Sequence, residues 1–270
     1  MGRALCVGSQ DCLQKEAKMR AKALNYLSRP RQTTMKILLK PLLAVLAVVL
    51  VSGVMWGQAL APSPIVIPLD GGDYADAFSD FDSGETVTFD FAGRGHPLIM
   101  SWIQKDAPYG FLVLFRDAKG NPDQNWQTDG NTIDSVHKMF GNLTRQDYDP
   151  ATMPLGKDGF HHPNGFLALQ VFDDCRPEYR RGGKCKGVLD KDAPIWPQLR
   201  VWVDTCFCTD SRLGRLYTLD ELGITEIKLK YVEESRRDRY GNKLSFKGAM
   251  IQNGKTVPIY DVYFRARSAE

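Results

Sequence analysis

The chain has 270 residues, of which 43% are hydrophobic and 25% charged, a balance that excludes wholesale disorder, a coiled coil, collagen and a polytopic membrane protein. The net charge of +3 is unevenly spread: residues 1–59 hold nine of the 35 basic and two of the 32 acidic residues, so residues 60–270 carry 26 against 30, a net of −4. A mildly acidic body offers no bulk attraction for nucleic acid, and its length suffices for one substantial core or two small ones.

The front end reads as an address. Lys36 and Lys40 precede an apolar run from Leu42 to Val51, and small residues lead to Gly57-Gln58-Ala59. This is the layout of a secretory signal peptide over 35–59, with cleavage expected after Ala59. Cutting after Ala61 would place Pro62 beside the scissile bond. The apolar stretch of about 16 residues is shorter than the roughly 20 a membrane span needs. Residues 1–34 fit neither pattern and read as an over-extended, disordered start, which removes Cys6 and Cys12 from the chemistry. The expected localisation is extracellular or cell envelope, with no stable membrane insertion after cleavage.

Within 60–270, alternation marks strands at Val87, Phe89 and Phe91, at Ile227, Leu229 and Tyr231, and at Val257, Ile259, Val262 and Phe264. Phe111–Phe115 is a short apolar run that reads as a buried strand. Phe166, Leu169 and Val171, after Asn164-Gly165, read as a helix. So do Ile195, Leu199 and Trp202-Val203, with Asp192 as N-cap and Pro194 in the first turn. A third short helix is expected at Leu219–Leu222, closed by Gly223. The segments 116–134, 142–164 and 173–192 are long and polar, and loops of that length usually hold a ligand, a metal or a disulfide, or are mobile. The expected fold is therefore α+β and β-rich: antiparallel strands with a few short helices and long polar loops, in one exported domain over 60–270.

The order of motifs is informative beyond composition. Ser63-Pro64-Ile65-Val66-Ile67-Pro68-Leu69-Asp70 is followed by Thr88-Phe89-Asp90-Phe91, Phe111-Leu112-Val113-Leu114 with Asp117, and Met139-Phe140-Gly141-Asn142. Then come Asn164-Gly165-Phe166-Leu167, Gly187-Val188-Leu189-Asp190, Leu199–Asp204 and Leu219-Asp220-Glu221-Leu222-Gly223. The succession resembles the EF-hand-like calcium-binding domain of bacterial exported proteins that often stands beside RTX-type repeats. That resemblance implies a β-rich domain with D-x-N-x-D-G loops, because Ca²⁺ takes six to eight oxygen ligands at about 2.3–2.6 Å from alternate loop positions.

Most of the implied ligand positions are altered. The first loop begins at Asp117 and keeps Asn121, but Lys119 replaces an oxygen ligand and Pro122–Gln127 is inserted before Asp129, Asn131 and Asp134. Lys138 stands where an acidic residue is expected. The second loop reads Lys184-Cys185-Lys186-Gly187-Val188-Leu189-Asp190, and the third reads Asp204-Thr205-Cys206-Phe207-Cys208-Thr209, with Arg215 in place of a late acidic ligand. Ammonium and guanidinium groups cannot coordinate Ca²⁺, and a thiol is a poor ligand for so hard an ion.

All four cysteines of the body, Cys175, Cys185, Cys206 and Cys208, fall in or beside the second and third loops. Their even number and the export signal favour disulfides over a zinc site, whose knuckles prefer C-x₂-C spacing. The pairing stays open. Bonds between the loops are favoured over a direct Cys206–Cys208 bond, whose ring is very small. Such cross-links would contribute about 2–4 kcal/mol each, as a structural ion otherwise would.

Weaker signals have plain readings. Asp117, Asn121, Asp129, Asn131 and Asp134 form a candidate calcium site in the 117–134 loop, against a solvated loop of turn-forming residues. Asp73, Asp76, Asp80 and Asp82 read as an exposed acidic loop. His161 and His162 read as a surface pair, His96 and His137 as lone histidines, and neither G-x-S-x-G nor a P-loop occurs. Arg236, Arg237 and Arg239 read as a charged turn before a Tyr240-Gly241-Asn242 hairpin. Trp102 and Trp202 read as core and Trp126 as exposed. The functional expectation is a non-catalytic exported structural or interaction protein, disulfide-stabilised, with an unidentified protein or surface partner and no required cofactor. The alternatives are a calcium-binding protein that retains the 117–134 site, and an exported hydrolase built on His161, His162 and loop aspartates.

Overall fold

The computed structural model describes residues 62–117, 121–123, 125, 132–144, 162–173 and 186–269, all within the compact unit 60–270. The expected signal segment, residues 1–34, Cys175, Cys185, Trp126, Asp129, Asn131 and His161 lie outside the described residues.

Eleven strands are described: β1 (Ile65–Pro68), β2 (Val87–Phe89), β3 (Leu98–Met100), β4 (Tyr109–Val113), β5 (Val188–Asp190), β6 (Arg200–Val203), β7 (Arg215–Thr218), β8 (Ile224–Arg237), β9 (Lys243–Gln252), β10 (Lys255–Tyr263) and β11 (Ala266–Ser268). Eight form one sheet in the order β5-β8-β9-β10-β1-β4-β6-β7, and three form another in the order β11-β3-β2. Every pairing is antiparallel. The large sheet curls into a half-barrel.

At its centre β1 and β4 are buried at every position because both faces are covered. Side chains alternate across a strand. Val66 of β1, Phe111 and Val113 of β4 and Tyr260 and Val262 of β10 enter one core, shared with Phe89, Met100 and Trp102 from the small sheet and its neighbourhood. Ile65 and Ile67, Leu112 and Leu114, and Val257 and Ile259 enter the other, beneath Phe166, Leu169, Ile195 and Trp196.

The expected α+β class is overturned: the structure is nearly all sheet, with a single α-helix of six residues, α1 (Gly165–Gln170), among the described residues. α1 matches the expected start, since buried Asn164 accepts from the N–H groups of Phe166 (3.0 Å) and Leu167 (3.1 Å). Asn164→Ala is expected to cost about 1–2 kcal/mol, read as a lower urea midpoint with an unchanged slope. The helix expected over Ile195–Val203 is instead a 3₁₀ turn, Trp196–Gln198, running into β6. Pro197 lacks the N–H a longer helix needs, and Val201 and Val203 favour a pleated surface. Leu219–Leu222 is a turn, not a helix, and Gly223 closes it at φ +66° as the sequence implies.

The expected strands at Val87, Phe111, Ile227 and Val257 are all present. The β8–β9 hairpin turns at Asp238, whose carboxylate accepts from the N–H groups of Tyr240 (3.0 Å) and Asn242 (2.8 Å), with Gly241 at φ +86°. The arginines before that turn meet the acidic loop: Arg239 pairs with Asp76 (3.0 Å) and Arg236 donates to the Asp73 carbonyl (2.9 Å). Arg265 forks onto Asp82 (2.6 and 2.9 Å). These pairs are exposed, so each contributes little.

Candidate functional site: the β6–β7 loop and its cleft

β6 leaves the core at Trp202 and Val203, and the chain turns back only at Arg215. The intervening loop winds around one carboxylate. Asp204 is buried; its Oδ1 accepts from the N–H groups of Cys206 (3.2 Å) and Cys208 (3.4 Å), and its Oδ2 from Thr209 N–H (2.9 Å). Trp102 closes the set, its indole N–H donating to Asp204 Oδ2 at 3.0 Å. An aspartate at such a bend organises the backbone by taking the hydrogens the turn leaves unpaired.

The loop places two side-chain-bearing residues in left-handed backbone, Phe207 at φ +55° and Thr209 at φ +61°. Across Phe207, Cys206 and Cys208 are joined, with Cα atoms 5.1 Å apart. The sequence favours bonds between the loops, and the other two cysteines, Cys175 and Cys185, lie outside the described residues. The small ring is accommodated because the backbone around it adopts conformations that L-residues ordinarily avoid. Cys206 is half-buried and its Sγ lies 3.2 Å from Asp204 Oδ1, whereas Cys208 is exposed. Asp204, Cys206 and Cys208 are the one group among the described residues with three ligand atoms close enough to share an ion.

Beyond Cys208 lies an open cleft of about 500 Å³. Phe89 and Ile133 form its apolar wall, and Asp134, Cys208, Asp210 and Arg212 its polar rim. Ser211 pins the wall in place by accepting from Ile133 N–H at 2.8 Å. The rim charges are paired. Arg212 forks onto Asp210 (2.9 and 2.6 Å), which draws that carboxyl down to about 2. Lys138 Nζ donates to Asp134 Oδ2 (3.1 Å) and to the Thr132 carbonyl (2.5 Å), with its side chain only 12% exposed.

The remaining described positions of the expected calcium site are closed in a similar way. Asp117 takes the N–H of Asn121 (2.9 Å) on one oxygen and the Asn121 amide (3.3 Å) on the other. Asp134 is held by Lys138. In the second loop the ammonium of Lys186 sits 3.4 Å from both Asp190 and Asp192. Asp173, buried, takes the N–H groups of Lys186 (3.3 Å) and Gly187 (2.8 Å). Sequence reasoning identified the lysines as misfits in a calcium loop but missed that they lie on the loop carboxylates. It also missed Trp102 and Ser211, which reach the site from elsewhere in the chain.

His162 precedes the N-cap of α1, and its carbonyl accepts from Asn164 Nδ2 (3.1 Å). His137 contacts the Ala92 carbonyl through Nε2 (3.2 Å).

A family match accounts for this arrangement from β1 to the end of the large sheet. The SPM domain model aligns with residues 65–265. The chain belongs to the SPM domain family. The matched SPM region contains both cores, the cleft and the Cys206–Cys208 loop. Over 204 residues the chain is 25% identical to the iron-regulated protein FrpA of Neisseria meningitidis serogroup C. That alignment covers 75% of this chain and 15% of the longer protein.

Proposed function

We propose that the chain is an exported, non-catalytic structural or interaction module, related to calcium-binding domains, whose loops are held by its own cationic and N–H groups. The observation that carries this reading is the state of the loop carboxylates: Asp134 faces Lys138, Asp190 and Asp192 face Lys186, and Asp173 and Asp204 face backbone N–H groups. A calcium site needs several oxygens turned toward one point with no competing cation there. An ammonium anchored in the same chain supplies a cation permanently, without loss to chelators.

Export is supported by the charged-then-apolar layout of residues 35–59 and by the cysteines of the body. An interaction role is supported by the matched region being a small part of a much longer bacterial protein. Among the described residues no helix is long and apolar enough to cross a membrane.

The test is thermal melting of the full chain with millimolar calcium, with chelator and with reductant. Calcium and chelator are expected to leave the midpoint unchanged. A rise of several degrees with calcium overturns the reading in favour of a retained site in the 117–134 loop, because a ligand bound only by the folded chain stabilises it by mass action. Loss of the Cys206–Cys208 bond is expected to have a modest effect, about 1–2 kcal/mol at most, since so short a loop removes little entropy from the unfolded chain.

A further inference from the structure

We infer that Cys208 is a capture site at which a cysteine of a partner protein, docked in the adjoining cleft, is held as a mixed disulfide. This deepens the interaction-module reading by giving the partner a chemistry.

Four observations converge. The Cys206–Cys208 bond spans a sequence separation of two, closing a ring of three residues in a surface loop. Its two sulfurs are inequivalent: Cys208 is exposed and lines the cleft, while Cys206 is half-buried behind it and is not part of the cleft wall. The flanking Phe207 and Thr209 occupy left-handed backbone, so opening the ring releases conformations the loop otherwise has to maintain. Finally, Asp204 Oδ1 stands 3.2 Å from Cys206 Sγ, ready to accept a hydrogen bond from a thiol formed there. Exposed disulfides whose reduced form is stabilised are the labile ones.

The step balances without an added oxidant. A partner thiolate attacks Cys208 Sγ in line with the existing bond. A new sulfur–sulfur bond forms between the partner and Cys208, the Cys206–Cys208 bond breaks, and its electron pair leaves on Cys206 Sγ. That sulfur takes up the proton the partner thiol gave up and donates it in a hydrogen bond to Asp204. The partner sulfur is oxidised to the disulfide level and Cys206 is reduced to a thiol.

The cleft indicates what carries the thiol. Its volume of about 500 Å³ admits a side chain with its adjoining backbone, Phe89 and Ile133 lie at its floor but are themselves buried, and its lining carries two carboxylates, Asp134 and Asp210, against one cation, Arg212. A cysteine flanked by neutral residues of a polypeptide fits this better than glutathione, which brings free carboxylates to a rim whose one cation among the described lining residues is already paired.

The experiment incubates the oxidised full chain with a fluorescent peptide bearing one cysteine and neutral flanks, and in parallel with glutathione, followed by non-reducing mass mapping. The expected result is one peptide adduct at Cys208 with a free thiol at Cys206. It should form at least about tenfold faster than on a synthetic peptide spanning residues 202–211 with the same ring, and faster than the glutathione adduct. Cys208→Ala is expected to abolish the adduct. Cys206→Ala should leave Cys208 able to take the same peptide supplied as a mixed disulfide. An adduct at Cys206, a rate no greater than that of the synthetic ring, or faster capture of glutathione than of the peptide overturns the inference. The comparison with the synthetic ring needs no variant to fold. The calcium melts do not involve Cys208, so either reading can fail while the other stands.

Discussion

Trp102→Ala is expected to lower stability by about 3–5 kcal/mol, and the melting midpoint by about 10–15 °C, while also loosening the β6–β7 loop. Trp102 is fully buried and its ring meets Phe111 at 4.6 Å, Phe89 at 5.4 Å, Phe264 at 5.8 Å and Trp202 at 6.1 Å. Truncation opens a large void between the two sheets. It also removes the indole donor from Asp204, a buried carboxylate that organises the loop. Trp102→Phe separates the two effects. It keeps most of the ring volume but not the N–H, so a loss of about 1–3 kcal/mol is expected, together with faster amide exchange at Cys206, Cys208 and Thr209. A Trp102→Phe variant that melts with the unaltered chain would show that the indole N–H carries nothing.

Asp261→Asn is expected to change how stability depends on pH. Asp261 is fully buried in β10; removal from water pushes its carboxyl up to about 7, against which the Ser63 hydroxyl and the N–H of Gly165 favour the charged form. Gly165 N–H donates to Asp261 Oδ2 at 2.5 Å. Tyr263 close by is pushed up by burial and then by Asp261 itself, and Tyr231 by burial above all. The unfolded chain loses this proton near pH 4, whereas the folded chain keeps it to about pH 7. The folded state therefore binds more protons across that window, and stability falls as pH rises through it. Below about pH 4 the penalty is absent; above about pH 7 it is complete, on the order of 4 kcal/mol. The asparagine cannot ionise and keeps an oxygen for Gly165. It should raise stability by a few kcal/mol at pH 8, change little at pH 4, and flatten the profile between. An unchanged pH profile would show that Asp261 ionises normally.

Much of the sheet was legible because its residues alternate or run apolar: Val87–Phe89, Tyr109–Val113 and Lys255–Tyr263 follow local pattern directly. The helix at Gly165 was legible because Asn164 is a capping residue immediately before an apolar face. Ile195–Val203 misled because apolar residues three and four apart occur equally in a 3₁₀ turn leading into a strand, and only Pro197 and the β-branched Val201 and Val203 argued otherwise. At the site, lysine and arginine in place of oxygen ligands were visible, and so was the C-x-C pair. What they touch was not, since Trp102 reaches Asp204 across 102 positions and Ser211 reaches Ile133 across 78. Such contacts are set by tertiary packing and leave no local period. The direct Cys206–Cys208 bond was disfavoured on ring size, a rule that assumes ordinary backbone at Phe207 and Thr209.

The place of β1 bears on when this body can form. It lies in the middle of the large sheet, between β4 and β10, with Ile65 opposite Asp261 and Val66 opposite Tyr260. β1 is thus clasped by a strand far later in the sequence, and until β10 arrives β1 has one side bare. A chain still emerging from the ribosome cannot close this sheet before β10 is made, so assembly waits on a contact of long sequence separation. The same pairing makes any truncation before residue 255 unable to assemble its central sheet.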